Sequence, residues 1–492
     1  MSNPPRLASA VMVTTGTDQD FRVLLVQRSA DMKFFGGYWA FPGGASEALD
    51  RADAALATLS CGVRELLEET CLVPDALGLD LAETRLLLAE AAEVPAAAER
   101  WRTALGAVVA SGAVAEVCRI TTPAHSPIRF ATDFLRLHQR EATTPTLDGR
   151  ELVDWCYLSP ADAVARWQRG EMPIAPPTLL LLELMAAHGA EDFIEPARAA
   201  AASFDAGAFH PARFSPGIFT APVPTPTLPP ATTTNCYIVG TRDLYVVDAA
   251  AVHAEDQQRL IDKLESLCRE GARVCGILLT HHHRDHTGAV ATLSRHFKAP
   301  VRAHALTYAQ LPDPDYLRGD SLNEGDVIPL GVAPDGTPGW HLEVMHTPGH
   351  ARDHLCFIDS RYRAALVGDM LSTISTIIID PPEGHMATYL RELERLLARP
   401  MTTLYPAHGP AHRDGHALLR QFIAHRRARE QKVIAALSHA PQSLEALLPN
   451  AYGDVAPAVY GAALRSLLAG LEKLAEDGVA RVTAEGDWLL AA

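Results

Sequence analysis

The chain has 492 residues, too many for one hydrophobic core and enough for three or four domains. Hydrophobic residues make up 48%, ordinary for a globular protein, and no run of about 18 apolar residues is present to span a bilayer. The formal charge of −16 opposes a broad nucleic-acid-binding surface, though it leaves room for a local basic groove.

Eight cysteines are scattered without a Cys-x-x-Cys pair, and the first residues show no basic stretch leading into an apolar core. A reduced, cytoplasmic setting is the expectation, with no membrane association.

Region 1–195 opens with strand-like runs at Ala8–Thr14 and Val23–Gln27, followed by a helical stretch over about 52–71. In that helix, Val63-Arg64-Glu65-Leu66-Leu67-Glu68-Glu69-Thr70 puts Glu65, Glu68 and Glu69 at i, i+3 and i+4, on one face. Three carboxylates crowded together repel unless a cation or an arginine intervenes. Upstream, Trp39-Ala40-Phe41-Pro42-Gly43-Gly44 is a strand ending in a Gly-Gly turn, where backbone can come close to a ligand. Hard carboxylate oxygens hold Mg²⁺, and Mg²⁺ holds a diphosphate.

This arrangement resembles the Nudix box, with its Arg-Glu-x-x-Glu-Glu core. The resemblance implies that Glu65, Glu68 and Glu69 bind Mg²⁺ or Mn²⁺, with Glu65 catalytic and Arg64 orienting a carboxylate. Two departures stand out. The interval from Gly44 to Arg64 is long, so the expected mid-loop glutamate falls on Leu56, and Cys71 stands where a glycine normally follows the paired glutamates. Glu47 is the acid that would compensate. Further upstream, Leu24-Leu25-Val26-Gln27-Arg28-Ser29, Lys33, Gly37 and Phe41-Pro42-Gly43-Gly44 are similar to the coenzyme-A diphosphatase signature, with Val26 for a threonine and Lys33 for an arginine. Arg129–Phe134 and Pro176-Pro177-Thr178 resemble the nucleoside-diphosphate-linked motif 19 branch of that group. The implied reaction is hydrolysis of the pyrophosphate in CoA or acyl-CoA, with Arg28, Lys33, Gly43 and Gly44 contacting substrate. The alternative is a degenerate, nucleotide-sensing domain.

Residues 196–232 shift in composition. Pro222-Val223-Pro224-Thr225-Pro226-Thr227-Leu228-Pro229-Pro230 reads as an extended linker. Region 233–420 begins with a hairpin, Asn235–Gly240 and Leu244–Asp248, and continues in an alternating α/β pattern. The apolar run Val274–Leu279 then delivers Thr280-His281-His282-His283-Arg284-Asp285-His286-Thr287-Gly288. Such a loop gains little as solvated surface, whereas imidazoles and a carboxylate at alternate spacing are good zinc ligands. His350, Asp369 and His408 each follow a strand-like run, where a rigid strand hands a side chain to an exposed loop. Region 421–492 is helical and closes with a short hairpin, a winged-helix-like unit.

The ordered set His281, His283, Asp285, His286, His350, Asp369 and His408 resembles the metallo-β-lactamase superfamily. The resemblance implies an αββα sandwich holding two zinc ions, or iron or manganese in their place. His281, His283 and His350 would ligate one metal, Asp285, His286 and His408 the other, and Asp369 would bridge; Asp248 would support them from behind. Zinc brings the pKa of bound water from 15.7 toward ~7, and the resulting hydroxide, oriented by the catalytic Asp285, would attack an ester, thioester or phosphodiester. Within the superfamily, His346-Thr347-Pro348-Gly349-His350-Ala351-Arg352-Asp353-His354, Tyr405–Pro410 and His425–Gln431 resemble the lactamase-like 2 subgroup, which has single-stranded-RNA endoribonuclease members, while glyoxalase-II-like thioesterases share the same ligands. His354 is expected to contact substrate. The expected fold class is thus a multi-domain α/β chain: a Nudix α/β/α sandwich, an αββα sandwich and a winged-helix-like unit. Expected partners are an acyl-CoA, another thioester or a nucleotide diphosphate. RNA is the alternative, tracked by Arg426, Arg427 and Arg429 unless these form a solvated helix face; a homo-oligomer is left open.

Overall fold

The structure, a computed structural model, describes residues 4–491 except 18–19, 33–34, 148 and 312–314. It divides into two compact units, Met1–Pro216 and Gly217–Ala492.

The first unit is built on a seven-stranded sheet. Arg6–Thr15 runs parallel to Phe130–His138 and antiparallel to Arg22–Arg28 and Gly43–Ala45. Side chains alternate across the pleat, so one strand feeds two cores. Val11, Val13, Leu24 and Val26 pack with Leu59, Val63 and Leu66 of the helix Ala57–Thr70. Met12, Val23 and Leu25 pack on the opposite face with Leu179, Leu182 and Met185 of the helix Pro176–His188. A sheet covered on both faces is the expected α/β/α sandwich, and it fixes the acidic helix beside the Gly43–Ala45 strand.

The second unit stacks two sheets. In one, Val301–Arg302, Arg273–Leu278, Asp243–Val247, Thr233–Val239 and Ile218–Pro224 lie side by side in that order. In the other the order is Val327–Val332, Pro338–His346, Leu355–Asp359, Ala364–Gly368 and Thr403–Pro406. Met386–Leu397 and Gly415–Ala436 are amphipathic helices whose Tyr389, Leu393, Leu396, Leu419 and Ile423 cover Met345, Cys356, Ile358, Val367 and Leu404 of the second sheet. Beyond them, Leu444–Tyr452, Tyr460–Glu476 and the hairpin Ala480–Val482/Trp488–Leu490 enclose a small core of Leu447, Leu467, Leu471, Leu474 and Trp488. No described helix is long and apolar enough to cross a membrane.

Two boundaries differ from expectation. The stretch 196–232 contains most of the helix Ile194–Asp205 and the strand Ile218–Pro224, so it is not a linker. Prolines are tolerated in that strand because of its register. Thr225 donates its N–H to Thr232 O, so by alternation the nitrogens of Pro222 and Pro224 point away from Thr233–Val239 and cost that pairing no ladder bond. The expected boundary at 420/421 falls inside the helix Gly415–Ala436, which serves both the second sheet and the C-terminal core through Leu419 and Val433.

Candidate metal centre and acidic helix

Strand ends build the site in the second unit. Asp243–Val247 and Arg273–Leu278 run parallel and stop together, so Asp248 and Thr280 meet. Asp248 adopts φ +56°, a left-handed conformation that aspartate tolerates better than most residues. This turn aims its carboxylate inward. It accepts hydrogen bonds from the Thr280 N–H and hydroxyl (both 2.8 Å) and faces His286 Nδ1 at 2.9 Å. The proton on His286 Nδ1 leaves Nε2 as the free lone pair.

The expected ligands converge. His281 Nε2 lies 2.9 Å from His283 Nδ1, which lies 3.1 Å from His350 Nε2. Asp285, His286 and His408 form a second cluster, with His408 Nε2 3.5 Å and His286 Nε2 3.9 Å from Asp285 Oδ2. Asp369 stands between the two groups. Its Oδ2 is 3.5 Å from His350 Nε2, while Oδ1 is 3.4 Å from His408 Nε2 and 3.7 Å from His286 Nε2. The outer nitrogens are anchored: His350 Nδ1 donates to Ile378 O at 2.9 Å and His408 Nδ1 to Thr233 O at 3.0 Å.

The residues fit a pair of cations. His286 Nε2 and Asp369 Oδ1 are buried without a hydrogen-bond partner, a costly arrangement for polar atoms unless an ion accepts them. Charge agrees. Burial lowers the pKa of His281 far below its usual range, keeping it a neutral lone-pair donor. Burial would lower His286 too, but the carboxylates of Asp285, Asp248 and Asp369 outweigh it and raise the value well above 6.5, so this pocket favours positive charge. Asp369 behaves in the converse way: burial works to raise it, and His408 and His286 hold it well below the usual range.

His354, expected to contact substrate, lies behind the cluster with both ring nitrogens engaged. It is fully buried, its Nε2 accepts from the Asp369 backbone N–H at 3.0 Å, and its Nδ1 faces Thr347 Oγ1 at 2.8 Å. Burial pushes its pKa down to about 3, so it stays neutral and able to accept. It holds Asp369 in place instead. A side chain on Gly368 would strike His354 Nε2 at 2.6 Å, and the residue takes φ +47°, so only glycine permits this contact.

The sequence reading missed three residues around His283. His282 Nε2 lies 3.2 Å from Glu383 Oε1, Glu383 Oε2 lies 3.6 Å from His283 Nε2, and His282 Nδ1 is 3.1 Å from the buried Asp353. The arginine cluster also departs from expectation. Arg426 is buried, with its guanidinium over the Tyr389 ring and bonded to Ile377 O. Arg429 pairs with Asp454 over Tyr452, and Arg427 pairs with Glu394. Arg426 and Arg429 are structural, and the three do not form a row of open cations for a phosphate backbone.

In the first unit, Gly43, Gly44 and the acidic helix meet as expected. The Gly43 N–H donates to Glu69 at 2.8 Å. A Cβ on Gly44 would lie 2.5 Å from the Glu65 carboxylate, and one on Gly43 would strike Ser9 O at 2.2 Å, so the Gly-Gly turn is a steric requirement. Burial raises Glu65 to about 7 and Glu69 to about 8. Arg28, at the end of Arg22–Arg28, favours ionised Glu69 through its charge. Glu68 is more exposed and its carboxylate pairs with Arg64 at 2.8 Å. Lys33 lies outside the described residues.

The compensating acid is Asp50, not Glu47. Asp50 is fully buried, pairs with Arg64 at 2.9 Å, and accepts from Ser60 Oγ and from the Glu47 backbone N–H. The insertion therefore lies between Asp50 and Arg64, and Leu56 has no carboxylate role to fill. Cys71 ends the helix at φ +58°, which explains why a glycine is expected there; for a non-glycine that conformation costs about 1 kcal/mol.

Comparison with known proteins matches these sites to families. The metallo-beta-lactamase superfamily model matches residues 229–408, the NUDIX domain model residues 4–176, and the beta-lactamase associated winged helix domain model residues 443–488. Fold and sites thus define a multi-domain α/β hydrolase. In particular, the chain is similar to the metallo-beta-lactamase superfamily over 229–408, to Nudix domains over 4–176 and to beta-lactamase associated winged helices over 443–488. Among curated relatives, the lactamase-like protein notP of Aspergillus sp. (strain MF297-2) is 28% identical over 51% of this chain and 78% of its own. An atrochrysone carboxyl ACP thioesterase of Claviceps purpurea is 29% identical over 45% and 67%. Among solved structures, a metallo-beta-lactamase family protein from Thermus thermophilus has 23% identity over 56% of this chain and 98% of its own, with a TM-score of 0.45.

Proposed function

We propose that the second unit hydrolyses an acyl thioester at a dinuclear metal site, and that the first unit hydrolyses a CoA-type or nucleotide diphosphate with Mg²⁺ or Mn²⁺. The observation that carries the first half is the convergence of His281, His283, His350, Asp285, His286 and His408 on the two oxygens of Asp369, with two buried atoms left for ions. A thioester is preferred because curated relatives are named thioesterases of acyl carrier proteins, and because the cluster meant to follow an RNA strand is taken up by internal contacts.

His281 Nε2, His283 Nδ1 and His350 Nε2 would hold one ion, Asp285, His286 Nε2 and His408 Nε2 the other, with an Asp369 oxygen toward each. When bound, such a pair supplies Lewis acidity and a water acidic enough to ionise near pH ~7. Asp248 and His354 keep His286 and Asp369 aimed at the centre. Asp285, the more exposed carboxylate, is placed to take the proton that an attacking water must lose.

In the first unit the Gly43–Gly44 backbone and Arg28 would receive the diphosphate beside Glu65 and Glu69. The test is to incubate the full chain with acyl-CoA, following free thiol with a chromogenic reagent and 3′,5′-ADP by chromatography. Thiol release that vanishes on chelation, and 3′,5′-ADP release that requires Mg²⁺ or Mn²⁺, are expected. Absence of both products across short- and long-chain acyl-CoA and acyl carrier protein would sink the reading.

A further inference from the structure

The segment Ile377–His385 has no regular secondary structure, yet it touches two ligand histidines from outside the site. Ile378 O accepts from His350 Nδ1 at 2.9 Å. A carbonyl only accepts, so His350 carries its proton on Nδ1 and presents a bare Nε2 to the centre. Glu383 acts on His283 in the mirror sense. Its Oε2 stands 3.6 Å from His283 Nε2, and a carboxylate there favours the proton on Nε2, leaving Nδ1 toward His281 and His350. Glu383 is itself aimed. His282 Nε2 faces its Oε1 at 3.2 Å, and His282 is backed by Asp353, which receives the Thr307 hydroxyl at 2.7 Å.

The segment is in turn gripped by the C-terminal helices. Arg465, on Tyr460–Glu476, donates to Pro381 O at 2.6 Å and pairs with Asp380. Glu476 on the same helix meets His385 Nε2 at 2.7 Å. Arg426, on Gly415–Ala436, holds Ile377 O. All of these contacts lie within one compact unit.

We propose that Ile377–His385 is a positioning strap for the metal centre: Glu383 and the Ile378 carbonyl set the ligating nitrogens of His283 and His350, and the winged-helix region holds the strap through Arg465. The inference rests on the dinuclear reading given above. It assigns the C-terminal region a task inside the hydrolase rather than on an RNA strand.

The test uses the full chain, Zn²⁺ affinity by chelator competition, and the visible spectrum of the Co²⁺-loaded protein. Glu383→Gln, which keeps shape and removes charge, is expected to weaken Zn²⁺ binding about 10- to 100-fold and to alter the Co²⁺ bands. Glu383→Asp is expected to recover part of the affinity, which a merely structural role would not do. Arg465→Ala, at an exposed position, is expected to shift affinity in the same direction by a smaller factor. Wild-type affinity and spectrum in both Glu383→Gln and Arg465→Ala would overturn the strap while leaving the metal centre intact. A wild-type chain that takes up no metal would overturn both readings.

Discussion

Single residues in this chain are defined less by their type than by what backs them. Arg64 is the clearest case, since its buried guanidinium is balanced by a fully buried Asp50. Removing Asp50 takes away the fully buried counter-charge of Arg64 and leaves only the less buried Glu65 and Glu68. Asp50→Ala is therefore expected to cost at most about 3–5 kcal/mol, the loss for a buried charge left wholly unpaired, and Glu47→Ala close to nothing; thermal denaturation of the two variants compares them directly, and equal losses would refute the assignment. Asp50 was hard to read from sequence because it reaches Arg64 across an insertion, and spacing counted from Arg64 lands on Leu56 instead. The placement of His354 was hard to read for a different reason. Its neighbour His350 reaches the histidine cluster, and polarity alone does not reveal that His354 is buried behind it with both nitrogens engaged. Glu383 carried no signal, because a glutamate in Pro381-Pro382-Glu383-Gly384 matches no pattern until the strap folds back on His283.

At the scale of elements, the acidic helix Ala57–Thr70 and the Gly43–Ala45 strand behave as one device. The strand's glycines let the carboxylates come close, and that closeness buries charge. Burial pushes Glu65 up to about 7 and Glu69 up to about 8 from an ordinary 4.5. An acid with a raised folded value is ionised first in the unfolded chain. The contribution of this pair to the stability of the metal-free protein should thus be fully present below pH 4.5 and lost as pH rises through 7 and 8. Mg²⁺ would bind the ionised carboxylates, so its stabilising effect should grow over the same window. Melting curves with and without Mg²⁺ check this, and Glu69→Gln should flatten the upper part of the profile. A metal-free melting temperature that climbs across the window would contradict the burial argument. These elements were legible from sequence because helix period, Gly-Gly turn and carboxylate spacing all agree locally. The strand Ile218–Pro224 was not, since its prolines mimic a linker and only the partner strand reveals which edge their nitrogens face.

For the whole molecule, the two proposed sites, at Glu65/Glu69 and at Asp369, fall in different compact units with their own cores. The two activities should dissociate in the full chain: Glu65→Gln should abolish diphosphate cleavage and spare thioester cleavage, and Asp369→Asn the reverse. Parallel rate measurements on one acyl-CoA preparation decide it; a loss of both rates in either variant would argue for a single shared site. The centre's ligands also have a consequence for folding. All eight cysteines are unpaired, so the chain contains no covalent cross-link, yet His281 and His408 stand 127 residues apart on loops from different sheets. Ions held between them bind only the folded arrangement, so their binding free energy adds to the stability of the fold. Chelation should then lower the melting temperature of the second unit and speed its unfolding, leaving the first unit's transition in place. The same atoms that perform the chemistry would be a removable clasp between two sheets.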